Sequence, residues 1–162
     1  MKFAICNEMF EKQPLEEVFR IAAEIGYDGV EIAPFTLANA VTDIDPARRK
    51  EIRQLAASFA LDITGIHWLF ISPSGLYLNH ADDETRRRTQ DYLCELIKFC
   101  GDIGGSVMVV GSPKQRDILP NESLTATWDR TKRVFEACLP LAMQCGVTIC
   151  LEPLDHLQTN FV

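Results

Sequence analysis

The sequence predicts an α/β fold in which parallel strands alternate with helices. Short apolar runs recur along the chain, a longer stretch with helical periodicity follows each of the first four, and turn residues separate the two kinds of segment. Strands and helices in this alternation form a parallel sheet with right-handed crossovers. The order is βαβαβαβαβ without a linker or low-complexity segment, so we expect residues 1–162 to form a single domain.

The five predicted strands are short apolar runs that end at polar residues or proline. They cover residues 2–6, 29–33, 62–68, 106–110 and 147–151. The last of them is rich in β-branched residues and ends at Glu152, which Pro153 follows directly. Because proline has no N–H with which to continue a ladder, the strand must stop there. We expect the Glu152 carboxylate to lie at the edge of the sheet, pointing into a site.

Each predicted helix carries an apolar stripe, and most also carry a start or stop signal. Pro14 is typical of the first turn of helix one, and Gly26 of its C-terminal cap. Asp45, which precedes a proline, predicts the start of helix two, and we expect Asp83 to cap helix three. Pro140 lies inside the fourth helical pattern and predicts a kink or a shifted boundary.

Two architectures fit this order of elements. An open doubly wound sheet would be complete with five strands, whereas a (β/α)8 barrel takes about 250 residues and only its first five βα units would be present. The first strand–helix turn carries no Gly-x-Gly-x-x-Gly and no phosphate loop, so nucleotide binding of the usual kinds has no support. Polar residues recur at the strand ends, as in barrel active sites: Asn7, Glu8, Glu31, His67, Ser112 and Glu152.

Composition narrows the class of partner and the location. The net charge of −7 argues against nucleic acid or an anionic membrane as the main partner, because both are polyanions. No apolar run approaches the roughly 20 residues of a membrane span, and the N-terminus lacks a signal-peptide pattern, so we expect a cytoplasmic protein. The six cysteines form no Cys-x-x-Cys pair, and five of them lie in apolar patterns, so we expect them to pack as small apolar residues. Disulfides or a zinc site are the alternatives. A small or metal-bridged ligand fits best.

Glu152 is the strongest candidate for chemistry. A carboxylate at a strand end can ligate a divalent cation or remove a proton next to a carbonyl, and one group can do both in an ene-diol mechanism. The alternative is a salt-bridged acid at the rim of the sheet.

Glu31 and His67 are weaker candidates that each have a structural alternative. Glu31 lies between two apolar strand residues and points away from them, so it needs a partner such as Arg116 or a bound ligand. His67 can hydrogen-bond a sugar hydroxyl, with Trp68 as an apolar wall. A structural ion pair for Glu31 and a satisfied core histidine for His67 remain open.

The loop that follows the fourth strand is basic and rich in hydrogen-bonding groups. Ser112 and Arg116 in this loop are suited to binding a phosphate or sugar hydroxyls. Solvated loop charge is the alternative.

Several stretches taken together resemble the xylose isomerase-like barrel proteins. They are residues 29–35 (Gly-Val-Glu-Ile-Ala-Pro-Phe), 65–69, 72–78, 104–116, and 151–154 (Leu-Glu-Pro-Leu) with 159–161. Within that group the chain resembles the sugar phosphate isomerase/epimerase branch, which includes relatives of tagatose 3-epimerase and hydroxypyruvate isomerase. The resemblance covers essentially the whole chain.

The resemblance implies a (β/α)8 barrel that uses a divalent metal, Mn²⁺ or Mg²⁺, to move a proton next to the carbonyl of a sugar or sugar phosphate. Residues 1–162 would then be the N-terminal part of such a barrel. Glu152 matches the family's glutamate after strand five, which is both a metal ligand and an acid/base residue. His67 matches a strand-three histidine that lines the sugar pocket, and Glu31 matches the acid of the same wall.

Two departures from the family pattern bear on activity. The other three metal ligands, an aspartate, a histidine and a glutamate from strands six to eight, have no counterpart here, so we expect little or no turnover from this chain. Many ketose epimerases have Asn and then a substrate-binding Glu where this chain has Asp155 and Gln158. Gln158 can bind a hydroxyl but cannot accept a proton, which favours the broader class over ketose 3-epimerase activity.

Two further functions stay open. The chain could be a non-catalytic sugar-binding or assembly fragment that completes its barrel with a partner chain, and open barrel edges would favour a homo-oligomer. Metal-dependent hydrolysis is also known in this superfamily, but the acidic charge and the missing zinc-ligand histidines argue against it.

Overall fold

The computed structural model describes residues 1–10 and 12–162. Within this part of the chain the strands are β1 (Ala4–Cys6), β2 (Gly29–Ile32), β3 (Asp62–Ile66), β4 (Val107–Val110) and β5 (Thr148–Leu151). The α-helices are α1 (Leu15–Ile25), α2 (Pro46–Ser58), α3 (Asp83–Asp102) and α4 (Leu124–Cys145). Each predicted strand is present, shorter by one or two residues at one end.

The sheet is parallel throughout, and its strands lie in chain order, β1-β2-β3-β4-β5. A doubly wound sheet would reverse its strand order at a switch point, whereas strands in simple succession are the order of a barrel. The structure therefore confirms the parallel α/β fold and decides for five strands of a barrel. It also brings the C-terminal ends of all five strands to one edge.

The main core lies between the helices and one face of the sheet. The sheet contributes Val30, Ile32, Ile66 and Met108, all fully buried. From α3 come Leu93, Leu96, Ile97 and Phe99, which are also fully buried. Burial of each such side chain stabilises the fold by roughly 1.5–3 kcal/mol. Because successive residues of a strand face opposite sides, Glu31 between Val30 and Ile32 lies on the other face.

The helix signals read from the sequence are largely confirmed. Gly26 caps α1 with a left-handed φ of 98°, and its N–H donates to the carbonyls of Ala22 and Ala23. The Asp45 carboxylate accepts the N–H of Arg48 at 2.8 Å, as expected of an N-cap.

Two helix details differ from the sequence-based expectation. The cap of α3 is Asp82, whose carboxylate accepts the N–H of Thr85 at 2.8 Å, and Asp83 is the first helical residue. Helix α4 continues through Pro140, so no boundary lies there, and the predicted kink stays a prediction. Proline leaves the carbonyl of Glu136 without its usual donor, and both residues are exposed, so water can satisfy that carbonyl.

The six cysteines are free thiols. Cys100 and Cys138 are fully buried, and burial raises the pKa of each thiol to about 12. Their packing agrees with the expectation that cysteine acts here as a small apolar residue. In the described part of the chain, none of the helices combines the length and the apolarity that a membrane crossing requires.

Gly65 on β3 is expected to be intolerant of any side chain. A Cβ there would overlap the carbonyl oxygen of Val107, its register partner on β4. We expect Gly65→Ala to lower the free energy of unfolding by roughly 2–3 kcal/mol, because the obstacle is backbone. Gly146→Ala is the matched control, because a Cβ at Gly146 would meet no neighbouring atom. Its φ of +67° is unfavourable for alanine and should lower the free energy of unfolding by about 1 kcal/mol. Urea denaturation followed by circular dichroism measures both, and equal losses would contradict the prediction.

Candidate active site

Three strand ends bring two acids and a histidine together. Glu31 lies on β2, His67 directly follows β3 and Glu152 directly follows β5. The His67 Nδ1 atom lies 3.3 Å from Glu31 Oε2, and its Nε2 atom lies 3.3 Å from Glu152 Oε2. One imidazole therefore bridges two carboxylates that are 121 residues apart in the chain, since 152 − 31 = 121.

The ladder hydrogen bonds extend just far enough to fix these strand ends. The His67 N–H donates to the carbonyl of Ile32 at 3.0 Å, one residue beyond β3. The Glu152 N–H donates to the carbonyl of Val110 at 3.2 Å, one residue beyond β5. Both side chains thus project from backbone that is still hydrogen-bonded to the sheet.

Gly111 makes the contact between His67 and Glu152 possible. It follows β4, the strand that lies between β3 and β5. A Cβ at this position would overlap Glu152 Oε2 and would lie 3.3 Å from His67 Nε2. The glycine therefore provides the space in which the two side chains meet across the end of β4. Sequence reasoning placed Gly111 in a polar loop and missed this role, because its signal is spatial.

The site is half-buried, and its two carboxylates favour the protonated form of the histidine. Side-chain exposure is 22% for His67, 24% for Glu31 and 37% for Glu152. The pKa of His67 is raised above its usual value, first by the hydrogen-bonding contact with Glu31. Burial opposes this shift, and the charges of Glu31 and Glu152 add to it. An imidazolium can donate one N–H to each carboxylate, so the cluster can store a proton next to Glu152.

Trp68 packs against the histidine of the cluster, and its role as the apolar wall of a sugar pocket stays a prediction. Its ring stacks on that of His67, with centroids 5.7 Å apart and an interplanar angle of 28°. The backbone of Trp68 has a φ of +57°, in the left-handed region that side chains other than glycine rarely adopt. Such strain costs on the order of 1–3 kcal/mol and clusters at functional sites.

Ser112 is buried and braces a neighbouring loop. Its Oγ accepts the N–H of Phe70 at 3.2 Å, which ties the end of β4 to the loop after β3. Asn7, the polar residue after β1, acts similarly: its Oδ1 accepts the N–H of Ala33 at 2.7 Å, and its Nδ2 donates to Thr36 Oγ1 at 2.8 Å. These contacts stabilise strand ends. Sugar binding by Ser112 stays a prediction.

Arg116 occupies a different position from the one expected as partner of Glu31. Glu31 pairs with His67, so that expectation was wrong. Arg116 is only 2% exposed, and its Nη2 donates to the backbone carbonyl of Glu152 at 2.7 Å. Burial lowers the pKa of its guanidinium, and the charges of Glu152 and Asp117 oppose that shift.

Gln158 forms no hydrogen bond with the two acids or His67 among the described residues. It is exposed at the end of a turn, where its backbone N–H donates to the carbonyl of Asp155 at 2.8 Å. Its side chain makes no hydrogen bond to the described residues. The segment is anchored one residue later, where Thr159 Oγ1 donates to Asp117 Oδ1 at 2.8 Å. Substrate binding by Gln158 stays a prediction.

A cavity of about 740 Å³ lies beside the ends of β1 and β2. Asn7, Glu8 and Thr36 are among its lining residues, whereas Glu31, His67 and Glu152 are not. The chemistry-bearing cluster and this cavity are thus separate features. We assign the candidate site from the cluster, since titratable side chains converge there.

The described residues do not by themselves form a metal site. Among residues 1–10 and 12–162, no group of three His, Cys, Asp or Glu side chains is placed to hold an ion. The two carboxylates contact opposite nitrogens of His67 and so do not converge on one point. Glu152 can supply one oxygen ligand, but an oxygen-ligated divalent cation takes six or more ligands.

The chain is similar in sequence to one protein family and to curated epimerases. Residues 19–162 match the model of the xylose isomerase-like TIM barrel family. A fructoselysine 3-epimerase from Shigella flexneri is 25% identical over 157 residues, covering 94% of this chain and 54% of that protein. A probable ketose 3-epimerase from Synechocystis sp. is 26% identical over 162 residues, covering 98% and 53%. The chain spans about half the length of these curated relatives.

Solved structures show the same fold. A D-psicose 3-epimerase from Clostridium cellulolyticum H10, determined with D-tagatose, superposes with a TM-score of 0.82 at 17% identity, over 100% of this chain and 55% of that one. A 3-keto-D-glucoside 4-epimerase from E. coli superposes with a TM-score of 0.74 at 20% identity, over 96% and 57%. With its five parallel strands in barrel order, this chain belongs to the xylose isomerase-like TIM barrel family, as its sequence motifs predicted.

Proposed function

We propose that this protein is an isomerase or epimerase that moves a proton next to the carbonyl of a sugar or sugar phosphate. The observation that carries the proposal is the Glu152 carboxylate at the end of β5, 3.3 Å from an imidazole whose pKa is raised. The related proteins are named as epimerases of fructoselysine, of ketoses and of a 3-keto-D-glucoside, and these names support the same class. Residues 1–162 are proposed to be the N-terminal part of one barrel domain in the cytoplasm.

Glu152 is proposed as the acid/base residue. Its carboxylate is about one-third exposed, so a substrate carbon can approach it, and it accepts the proton from the carbon next to the carbonyl. His67 donates an N–H to this carboxylate and balances its charge. Return of the proton to a neighbouring atom gives an isomer, whereas its return to the opposite face gives an epimer and needs a second acid on that face. Glu31 is not that acid, because it lies on the far side of His67.

A divalent cation, Mn²⁺ or Mg²⁺, is proposed for the whole protein, with Glu152 as one of its ligands. When bound, such an ion polarises a substrate carbonyl and stabilises the charge that develops on its oxygen. The other donors are not among the described residues, so the steps assigned here are those of Glu152 and His67 alone.

The remaining residues of the predicted site are proposed to orient the sugar. Glu31 and His67 form its polar wall, and Trp68 supplies an apolar surface beside them. The exposed amide of Gln158 and the loop that carries Ser112 and Arg116 are proposed hydroxyl- or phosphate-binding groups. Since Gln158 cannot accept a proton, we propose the broad class rather than ketose 3-epimerase activity in particular.

A proton-exchange assay tests the role of Glu152. The chain is incubated in D2O with ketoses or ketose phosphates and Mn²⁺ or Mg²⁺, and deuterium at the carbon next to the carbonyl is followed by NMR. We expect only slow exchange, because Glu152 is the one metal ligand proposed among the described residues. Exchange should fall by roughly 100-fold or more in Glu152→Gln, because a carboxamide cannot act as a base. Glu136→Gln, which removes an exposed acid of α4, is the matched control and should leave exchange unchanged.

The outcomes of this assay are distinct. Exchange that is insensitive to Glu152 would contradict the proposed acid/base role. If exchange is absent and ketoses leave the NMR signals of the His67 ring unshifted, the proposed function is contradicted. Full metal-dependent turnover that disappears in Glu152→Ala would contradict our expectation that this chain has little turnover.

The second candidate function is an assembly fragment that completes its barrel with a partner chain, such as a second copy. In the described residues β1 pairs only with β2 and β5 only with β4, which leaves two strand edges open. Exposed apolar side chains lie on and near the β5 edge, with Leu151 45% exposed and Met143 81% exposed. Open edges and apolar patches favour association.

Light scattering after size exclusion tests the assembly fragment. If the edges pair, we expect a dimer or larger species that Leu151→Lys on β5 shifts towards monomer, because a charge at the edge opposes pairing. Leu157→Lys is the matched control, since Leu157 is exposed in a turn outside the sheet. A monodisperse wild-type monomer would count against this function.

The raised pKa of His67 predicts a pH-dependent contribution to stability. A group whose pKa is raised on folding stabilises the fold fully below its usual pKa of 6.5, and the stabilisation is lost as pH rises through the folded-state value. We expect the free energy of unfolding of the wild type, relative to His67→Gln, to fall by up to about 1 kcal/mol as pH rises above 6.5.

Urea denaturation at a series of pH values measures this difference. His156→Gln is the matched control, because the His156 side chain is 88% exposed and its contact with Asp155 is screened by solvent. If the stability difference between the wild type and His67→Gln grows as pH rises, the predicted direction of the pH dependence is wrong.

A further inference from the structure

Arg116 is a buried cation whose hydrogen bonding is incomplete. It has the largest side chain among the fully buried residues, and its Nε and Nη1 have no hydrogen-bond partner among the described residues. Arg49 offers a contrast: it is also buried, but its three guanidinium nitrogens donate to Ile44, Val41 and Asp102. A buried charge with free donors costs stability. The burial of Arg49 is explained by its packing and its hydrogen bonds. The burial of Arg116 is not, so we look for a function that offsets its cost.

The one hydrogen bond of the Arg116 guanidinium goes to the backbone of Glu152. The Glu152 N–H is held by Val110, but its carbonyl lies beyond β5, and Pro153 has no N–H with which to extend the ladder. In the described chain the donor to that carbonyl is Arg116 Nη2, at 2.7 Å. Arg116 therefore fixes the peptide from which the Glu152 carboxylate projects.

The backbone of Arg116 is itself anchored. Asn79, which is 2% exposed, donates its side-chain N–H to the Arg116 carbonyl at 2.5 Å. The N–H of Leu78 donates to the carbonyl of Gln115 at 2.7 Å. The guanidinium thus extends from a segment that is tied to the loop after β3 and cannot easily follow β5 if that strand end shifts.

The position of Glu152 has little tolerance for such a shift. Its carboxylate occupies the space over Gly111 that a Cβ would take, and there it contacts His67. A small rotation of the Glu152 peptide would carry the carboxylate out of this space or away from the imidazole. A displacement of about 1 Å at a catalytic group is enough to cost on the order of 100-fold in rate.

We propose that Arg116 is a positioning residue: its buried guanidinium holds the Glu152 carbonyl so that the Glu152 carboxylate stays against His67. The inference rests on the proposed role of Glu152 for its catalytic meaning. It assigns Arg116 an action through the Glu152 peptide, in addition to the ligand-binding role proposed for the loop that carries it.

The test uses the full 162-residue chain and NMR at one fixed pH. The signal is the NOE between the His67 ring and the Glu152 side-chain methylene protons, and the NOE between the His67 and Trp68 rings is the internal reference. In Arg116→Gln we expect loss of the His67–Glu152 NOE while the reference persists. Arg116→Lys keeps a cation and N–H donors and should restore part of the signal.

Two control variants bracket this result. Arg130→Gln removes a half-buried arginine that contacts Asn79 and Glu122 but not Glu152, and it should keep both NOEs. Gly111→Ala should lose the His67–Glu152 NOE, because the new Cβ takes the space of the carboxylate. Together they show that the signal follows the position of Glu152 rather than general damage to the fold.

Retention of the His67–Glu152 NOE in Arg116→Gln, or its loss in Arg130→Gln, would overturn the proposal. If Arg116→Gln does not fold, the wild type is used instead. The measurement is then the scalar coupling across the hydrogen bond from Arg116 Nη2 to the Glu152 carbonyl, and absence of this coupling would overturn the proposal. The NOE needs no turnover. If Arg116→Gln loses the NOE and proton exchange is unchanged in Glu152→Gln, the positioning role is supported and only the proposed function is contradicted.

Discussion

The contact of His67 with Glu31 on one side and Glu152 on the other is the interaction on which the candidate site depends. Two carboxylates brought to the same end of the sheet, on either side of one imidazole, would repel each other in a half-buried setting, and each would lose hydration. A protonated imidazole between them offsets both costs by donating one N–H to each acid. The same arrangement places an imidazole nitrogen, which can carry a proton, 3.3 Å from the carboxylate that is proposed to move one.

This contact is possible only because of how the sheet is built. Parallel strands in chain order bring their C-terminal ends to one edge, so residues far apart in sequence become neighbours. His67 and Glu152 are nevertheless separated by a whole strand, β4, and they meet only because the residue that follows β4 is Gly111. Arg116 then fixes the Glu152 peptide from the other side. Apolar packing of the helices against the opposite face supplies the rigidity that this geometry requires.

The structure also shows where the site is open. The edges of β1 and β5 carry no further strand in the described residues, and the apolar side chains of Leu151 and Met143 are exposed near the β5 edge. A barrel buries such edges by closing on itself. The two proposed functions differ in what covers this side of the sheet, and both place Glu152 and His67 at the same end of it.

The sequence by itself determined the kinds and order of elements, because apolar periodicity and cap residues such as Gly26 and Asp45 act over a few neighbouring residues. The family motifs also predicted Glu31, His67 and Glu152 as site residues. Only the tertiary structure decided that these three touch, that Gly111 makes room for them, and that Arg116 bonds Glu152 rather than Glu31. Such contacts join residues from different strands, and their distances depend on sheet order and register, which no local pattern specifies.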